Sequence, residues 1–319
     1  MSPDFSDYLE FQKKRGLAVL TIKGYHSDLN QFARWFNEKV GQEVTPQLLQ
    51  SEHVFGYRQY MINKGDKPQT INRKLAAIIS YGWWAVKTKQ ITINPAEGIK
   101  NMAETTLAPK WLDKRQKSAI MRTLRREIEE AKDQYPRLWL LRLRDSVAVS
   151  LILNTGIRLS EVCDLKLDDV KISERKGNII IRQGKGQKRR IIPLNNDGRG
   201  LLLMWLNHRP KNKGDMLFTG QRGEGMNPRA VQRAVHRIAK KAKVENATPH
   251  TLRHTFAKTL LDENVPIDQV ALLLGHSNLN TTRIYTTPDE KDLEKAVGKI
   301  NENRETLGAD MNTYQQLQF

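Results

Sequence analysis

The chain of 319 residues contains a single cysteine, Cys163. An intrachain disulfide is therefore excluded, and so is a zinc site built from several thiolates. Cys163 falls within Leu159–Leu165, where a lone thiol is expected to serve as a small core residue. No run is long and apolar enough to cross a bilayer. The N-terminus has no basic segment followed by an apolar one, so no secretory signal is expected. These absences point to a cytoplasmic protein, which in a bacterium would lie beside the chromosome. Internal repeats and low-complexity tracts are missing as well. So is any obvious carboxylate cluster: Asp164, Asp168 and Asp169 are close in sequence, but they read as a solvated polar turn. No metal or other cofactor is expected.

Positive charge is plentiful. Lys and Arg number 53 against 35 Asp and Glu, a formal net charge of +18. An excess of that size in a chain of low hydropathy points to a polyanionic partner. Nucleic acid is the first candidate, because phosphate contacts supply most nonspecific affinity for it. The hydrophobic content of 39% is sufficient for real cores, and the length suits two domains better than one.

Apolar spacing predicts helices through most of the first hundred residues. Leu17, Ile22, Tyr25, Leu29, Phe32, Trp35 and Phe36 recur at roughly helical intervals, with Thr21 as the expected cap of a helix beginning at Ile22. A second helix is expected over Ser51–Asn63, ending near Gly65. A third begins near Thr70 and carries Ile71, Leu75, Ile78, Ile79, Trp83 and Trp84, and Asn94-Pro95 ends the helical stretch. Residues 1–100 thus form one helical domain, 101–112 a linker, 113–300 a second domain and 301–319 a polar tail. In the second domain a basic helix is expected from Asp113 to Arg126. An apolar helix from Leu138 to Leu153 is closed by Gly156. Two strands, Ile179–Arg182 and Arg189–Pro193, form a hairpin with Lys185 at its glycine-flanked tip. Helices follow over Leu201–Trp205, Pro228–Lys243, Pro249–Glu263 and Ile267–Leu274.

Four pieces of the second domain carry groups suited to chemistry on phosphate. Thr155-Gly156-Ile157-Arg158-Leu159-Ser160-Glu161 holds Arg158 in a turn between two helices. Lys185 sits on the hairpin. His250-Thr251-Leu252-Arg253-His254 opens a helix that Thr248 can cap, with Pro249 in its first turn, and His250 and Arg253 share a face. Leu274-Gly275-His276 is followed by Thr281-Thr282-Arg283-Ile284-Tyr285. Each residue alone has an ordinary structural explanation; their combination, in this order, does not.

With these residues in place, the sequence resembles the tyrosine recombinase (integrase) family over nearly its whole length. The resemblance rests on T-G-x-R-x-S-E, G-K-G-x-K, H-x-L-R-H, L-G-H and T-x-x-Y, and on T-I-x-x-Y-x-x-D-L-x-x-F from Thr21 to Phe32. It implies a mainly α fold with a small β-sheet: an N-terminal helical core-binding domain and an α+β catalytic domain. It also implies that Tyr285 attacks a DNA phosphate, giving a 3′-phosphotyrosine. His250 takes the proton, Lys185 protonates the leaving 5′ oxygen, and His276 orients the phosphate. Arg158 and Arg253 offer planar forks to the nonbridging oxygens, which can replace a metal ion. Glu161 is expected to orient a neighbouring basic group.

The implied partner is double-stranded DNA with an inverted-repeat core site, bound by a homotetramer that joins two duplexes through a Holliday junction. Arg229, Arg233, Arg237, Lys240 and Lys241 lie on one basic helix suited to a major groove. Arg73, Lys74 and Lys87 are the corresponding candidates in the first domain. Two readings compete with this one: a type IB topoisomerase, and a DNA-binding regulator that has lost catalysis. Little room precedes the first domain for an additional DNA-binding module.

Overall fold

A computed structural model describes residues 4–103, 109–182, 189–211, 214–220, 223–276 and 280–284. The chain forms two compact units, Met1–Leu107 and Ala108–Phe319.

The first unit is built from α1 (Ser6–Lys14), α2 (Val19–Val40), α3 (Ser51–Asn63) and α4 (Pro68–Lys87). Its core is aromatic-rich: Tyr8, Phe32, Phe36 and Tyr57 are fully buried with Leu29, Met61, Ile71, Leu75 and Ile78. α3 has the expected bounds. α2 starts earlier than its periodicity suggests, at Val19 behind Ala18, so Thr21 lies inside the helix and does not cap it. Val19 and Leu20 are exposed, which is why the inward-facing pattern becomes legible only further along. α1 has no counterpart among the sequence-based helices. One of its two buried residues is Gln12, whose amide donates to Ser80 Oγ at 3.0 Å, beside the Tyr8 hydroxyl. A polar inward position hides the helical period. Asn94 does not break a helix, because α4 has already ended at Lys87. Its Oδ1 accepts from Ala96 N–H and its Nδ2 donates to the Ile79 carbonyl, in space that a side chain on Gly82 would fill.

The expected linker is pinned at both ends. Asn72 Oδ1 accepts from Met102 N–H at 2.7 Å, and Leu112 is buried in the second unit with its N–H donating to Thr255 Oγ1.

The second unit contains α5 (Lys114–Gln134), α6 (Pro136–Thr155), α7 (Leu159–Asp164), β1 (Val170–Ile172), β2 (Gly177–Ile181), β3 (Arg190–Pro193), α8 (Asn196–His208), α9 (Pro228–Lys241), α10 (Pro249–Asp262), α11 (Ile267–Leu274) and α12 (Asn280–Arg283). α6 is the central element. From Leu143 nearly every residue to Thr155 is buried, and α5, α8, α9 and α10 all pack on it. A helix buried on all sides carries no single apolar stripe. Gly156 ends it at φ +63, and a Cβ there would collide with Phe256 and Leu274. Glycine answers both constraints at once.

The sheet has three antiparallel strands in the order β1-β2-β3, one more than the expected hairpin. β1 is three residues long, too short to give a pattern. It follows a 3-10 turn, Leu167–Asp169, that corrects the reading of the acidic stretch. Asp164 and Asp168 are exposed. Asp169 is buried, accepts from Lys166 N–H at 2.9 Å and pairs with Arg182. Burial of a carboxylate requires such partners. The fold as a whole is mainly α with a small β-sheet, as the resemblance implies.

Candidate active site and nucleic-acid interface

The site is organised by the C-terminal end of α11. The last carbonyls of a helix lack intrahelical donors and carry partial negative charge. Here three consecutive carbonyls are each met by an arginine from a different part of the chain. Arg190 Nε, on β3, donates to Leu273 O at 2.9 Å. Arg253 Nη2, on α10, donates to Leu274 O at 2.8 Å, and Arg158 Nη2, in the α6–α7 turn, donates to Gly275 O at 2.9 Å. Gly275 caps α11 at φ +67, and a Cβ there would meet the Arg190 guanidinium.

Each arginine has further anchors. Arg253 is 4% exposed, and its Nη1 donates to Gly156 O at 2.6 Å. The glycine that ends α6 thus also holds the second candidate clamp. Arg158 precedes α7 as its N-terminal cap residue, and Glu161 reaches back to it: Oε2 accepts from Arg158 N–H at 2.7 Å and Oε1 from Nη1 at 3.0 Å. The same carboxylate takes a two-pronged contact from Arg190, Nη1 to Oε1 at 2.9 Å and Nη2 to Oε2 at 2.7 Å. Burial pushes the Glu161 carboxyl up. The Arg190 hydrogen bonds, the Arg158 N–H and the two positive charges outweigh this and hold it below the usual carboxylate range.

His276 lies one residue past the α11 cap. Arg253 Nη2 approaches its Nε2 at 3.0 Å, and its Nδ1 is 2.8 Å from Thr282 Oγ1. A guanidinium N–H can only donate, so Nε2 accepts and the ring proton is assigned to Nδ1, which donates to the threonine hydroxyl. Burial first, then the charges of Arg253, Arg158 and Arg190, push the ring's pKa down to about 4, so it is neutral at physiological pH. Thr282 is itself fully buried.

α10 begins as expected, with Thr248 Oγ1 accepting from Thr251 N–H and Pro249 in the first turn. Arg253 points into the core while His250 remains exposed. His250 lies 5.7 Å, ring centroid to ring centroid, from His254. Burial, with the neighbouring His250 and Arg253, pushes His254 down to about 4. Lys185 and Tyr285 lie outside the described residues. Their flanks do not: Ile181 on β2 faces Arg190 on β3, and α12 ends at Arg283.

Of the expected site residues, the structure therefore brings together Arg158, Glu161, Arg253 and His276. It adds Arg190 and Thr282, which sequence reasoning missed. Arg190 alternates along β3 with the buried Ile192 and so faces inward. An arginine at an inward strand position needs an acceptor, and that was the available signal.

The DNA-contact candidates divide. Lys74 is corrected: it is buried and paired to Asp66 at 2.8 Å, so it faces its own domain. Arg73 is half exposed and paired with Asp28, while Lys87 lies over the Phe11 ring at 5.5 Å. On α9 the basic residues fall into two stripes. Arg237 turns inward to Glu127 at 2.8 Å and Asp145 at 3.3 Å, and Lys241 lies 3.5 Å from Glu127. Glu127 and Asp145 are buried carboxylates on α5 and α6. Arg229, Arg233 and Lys240 are exposed, and none of them pairs with a carboxylate among the described residues. Also among the described residues, no helix is long and apolar enough to cross a membrane, and no group of three His, Cys, Asp or Glu could hold a metal ion.

Comparison with known proteins places the chain. Residues 110–292 match the phage integrase family, and residues 4–89 match the phage integrase N-terminal SAM-like domain. The tyrosine recombinase XerC of Corynebacterium glutamicum is 32% identical over 300 residues, covering 93% of this chain and 90% of that protein. The tyrosine recombinase XerD of Listeria monocytogenes is 30% identical over 295 residues, covering 90% and 94%. Among solved structures, the XerH site-specific recombinase bound to a palindromic difH substrate in a post-cleavage complex shares the fold. Its TM-score is 0.69 at 24% identity, over 90% of this chain and 81% of that one. A lambda integrase dimer bound to a core site does so with TM-score 0.63 at 18% identity, over 87% and 95%. The chain belongs to the tyrosine recombinase (phage integrase) family.

Proposed function

We propose that the chain is a site-specific DNA recombinase that cuts and rejoins duplex DNA through a covalent 3′-phosphotyrosine. The phenol oxygen of Tyr285 attacks phosphorus and the bond from phosphorus to the 5′ oxygen breaks. The phenol proton goes to His250, and Lys185 supplies a proton to the departing 5′ oxygen. Rejoining reverses these steps with a new 5′ hydroxyl, so the phosphodiester energy is conserved in the tyrosine ester and no ATP is needed. A phenol with an ordinary pKa of about 10 is a poor nucleophile at neutral pH. It requires a strongly positive site, which Arg158 and Arg253 supply by gripping the nonbridging oxygens as charge builds up.

The observation that carries this reading is the pair Arg158 and Arg253, fixed on adjacent carbonyls of one helix end with His276 beside them. Preorganised donors of this kind need no metal to stabilise a phosphoryl transition state. Similarity to relatives named XerC and XerD, and a fold shared with recombinases solved on DNA, supports duplex DNA as the substrate. On that basis the working unit is a homotetramer on two duplexes with inverted-repeat core sites. It exchanges strands in pairs through a Holliday junction, for integration, excision or resolution. Arg229, Arg233 and Lys240 form the outward stripe that meets the DNA.

The test starts from a duplex selected by gel shift from a pool with randomised inverted repeats, then nicked near its centre and incubated in EDTA. The parent protein is expected to form a denaturant-resistant DNA adduct, and Tyr285→Phe to bind the same duplex without one. An adduct that survives the substitution overturns the assignment of Tyr285. Relaxation of plasmids lacking the selected site would favour a topoisomerase.

A further inference from the structure

Arg190 is not among the groups that touch DNA in the proposed reaction, yet its whole guanidinium is committed inside the site. Its side chain is 8% exposed, and three donors of one planar fork are engaged: Nε on Leu273 O, Nη1 and Nη2 on the two oxygens of Glu161. Lysine could not reproduce that pattern, since it offers one nitrogen where arginine offers three in a plane.

We propose that Arg190 is a positioning residue that allows Glu161 to aim Arg158 without cancelling its charge; this rests on the DNA-cleavage function proposed for the same site. Glu161 carries one negative charge and orients Arg158 through both its side chain and its backbone N–H. With Arg158 as its sole cationic partner, the pair would be neutral, and the clamp would offer a phosphate little net attraction. With Arg190 opposite, the trio of two arginines and one carboxylate keeps a net positive charge. The carboxylate is also held from two sides and cannot swing fully onto Arg158. Because Arg190 touches both Glu161 and the α11 end next to His276, the same side chain ties the α6–α7 turn to the α11 cap. The packing of Gly275 against the Arg190 guanidinium fits this role, since a larger residue there would displace it.

The experiment uses the full chain as Arg190→Gln and Arg190→Lys. Without DNA, hydrogen exchange of the guanidinium protons is followed by nitrogen-15 NMR. Arg190→Gln frees Glu161 to close fully onto Arg158, so exchange at Arg158 Nη1 is expected to slow, while Arg253, held by the Gly156 and Leu274 carbonyls, keeps the parent rate. With DNA, single-turnover adduct formation is compared on an ordinary scissile phosphate and on a methylphosphonate, which lacks one negative charge. Arg190→Gln is expected to slow cleavage of the phosphate by about 100-fold, in the range found when a transition-state donor is lost. Its DNA affinity stays near the parent value, and the defect shrinks on the methylphosphonate because less charge must be met. Arg190→Lys should fall between the parent and Arg190→Gln, and it serves alone if the glutamine variant does not fold.

Equal losses on both substrates, or unchanged exchange at Arg158, would mean that Arg190 is a structural tie and would overturn the proposal. A parent protein that forms no adduct on either substrate refutes the cleavage reading instead, and the DNA-free exchange still decides the role of Arg190.

Discussion

Replacing Thr282 with valine removes a hydroxyl while keeping the shape of a fully buried side chain. The hydroxyl oxygen lies 2.8 Å from His276 Nδ1. The ring cannot compensate by moving its proton to Nε2, because Arg253 Nη2 already directs a hydrogen at that atom from 3.0 Å. Protonating both nitrogens is opposed by burial and by three nearby arginines, which hold the ring's pKa near 4. The valine variant therefore leaves a partly buried N–H without an acceptor, at a cost of about 1–3 kcal/mol. If the ring relieves this by tilting off Arg253, the cost falls on the geometry that meets the phosphate. At about 1.4 kcal/mol per tenfold in rate, adduct formation slows by roughly 5- to 150-fold. Thr282→Ser keeps the acceptor and should stay close to the parent. Single-turnover cleavage of the nicked duplex measures the rate, and gel shift and a thermal melt separate it from affinity and folding. A valine variant that cleaves at the parent rate, with nitrogen-15 shifts still showing the Nδ1-protonated ring, would refute the tautomer assignment and the role of the hydroxyl together.

Other outcomes follow from the same geometry. His254 and His276 are both pushed from 6.5 down to about 4, so the unfolded chain takes up protons in that window that the folded chain does not; stability is complete above about pH 6.5 and falls as the pH drops toward 4. His254→Asn should flatten the melting-temperature slope between those limits, and an unchanged slope would count against the shift. Arg229→Ala with Arg233→Ala should weaken DNA binding and lower the salt dependence, by about 0.9 in log–log slope for each phosphate no longer neutralised. Arg237→Ala, on the inward stripe, should instead lower the melting temperature by uncovering the buried Glu127 and Asp145; equal salt slopes for the two stripes would refute the division. Gly156→Ala should destabilise by more than the roughly 1–2 kcal/mol of a left-handed alanine, since its Cβ also strikes Phe256 and Leu274, and a calorimetric melt close to the parent would contradict the packing there.

Much of this site could be read from sequence because its chemistry is local. A turn after a glycine fixes Arg158 and Glu161 three residues apart, and Thr248-Pro249 announces the helix that carries His250 and Arg253. Such short-range geometry leaves a mark in residue spacing. Reading failed where a contact joins distant segments. Nothing near Lys74 in sequence marks it as buried except Asp66, eight residues away across a turn. The inward stripe of α9 is set by carboxylates roughly one hundred residues earlier, Glu127 and Asp145, so one basic helix face looked continuous. α1 and β1 escaped for a different reason: one hides its period behind a buried glutamine, and the other is too short to have a period.

The same distinction explains why the arginines matter more than the net charge of +18 suggests. Charge spread over a surface is screened by salt and attracts any polyanion. The guanidinia at the end of α11 lie largely out of solvent, on backbone carbonyls that cannot be displaced without unwinding the helix end. Arg158 and Arg253 are held at fixed positions by these carbonyls, so the proposed reaction needs little reorganisation of them as phosphate charge develops. Arg73 and Lys74 lie next to each other and contribute equally to the net charge. Half-exposed Arg73 covers the buried Asp28 and Lys74 is sealed against Asp66, and neither is held in such an array. In the proposed reaction, surface cations supply general attraction to nucleic acid, and Arg158 and Arg253, fixed on the α11 carbonyls and, for Arg158, on Glu161, are the ones placed to meet the scissile phosphate.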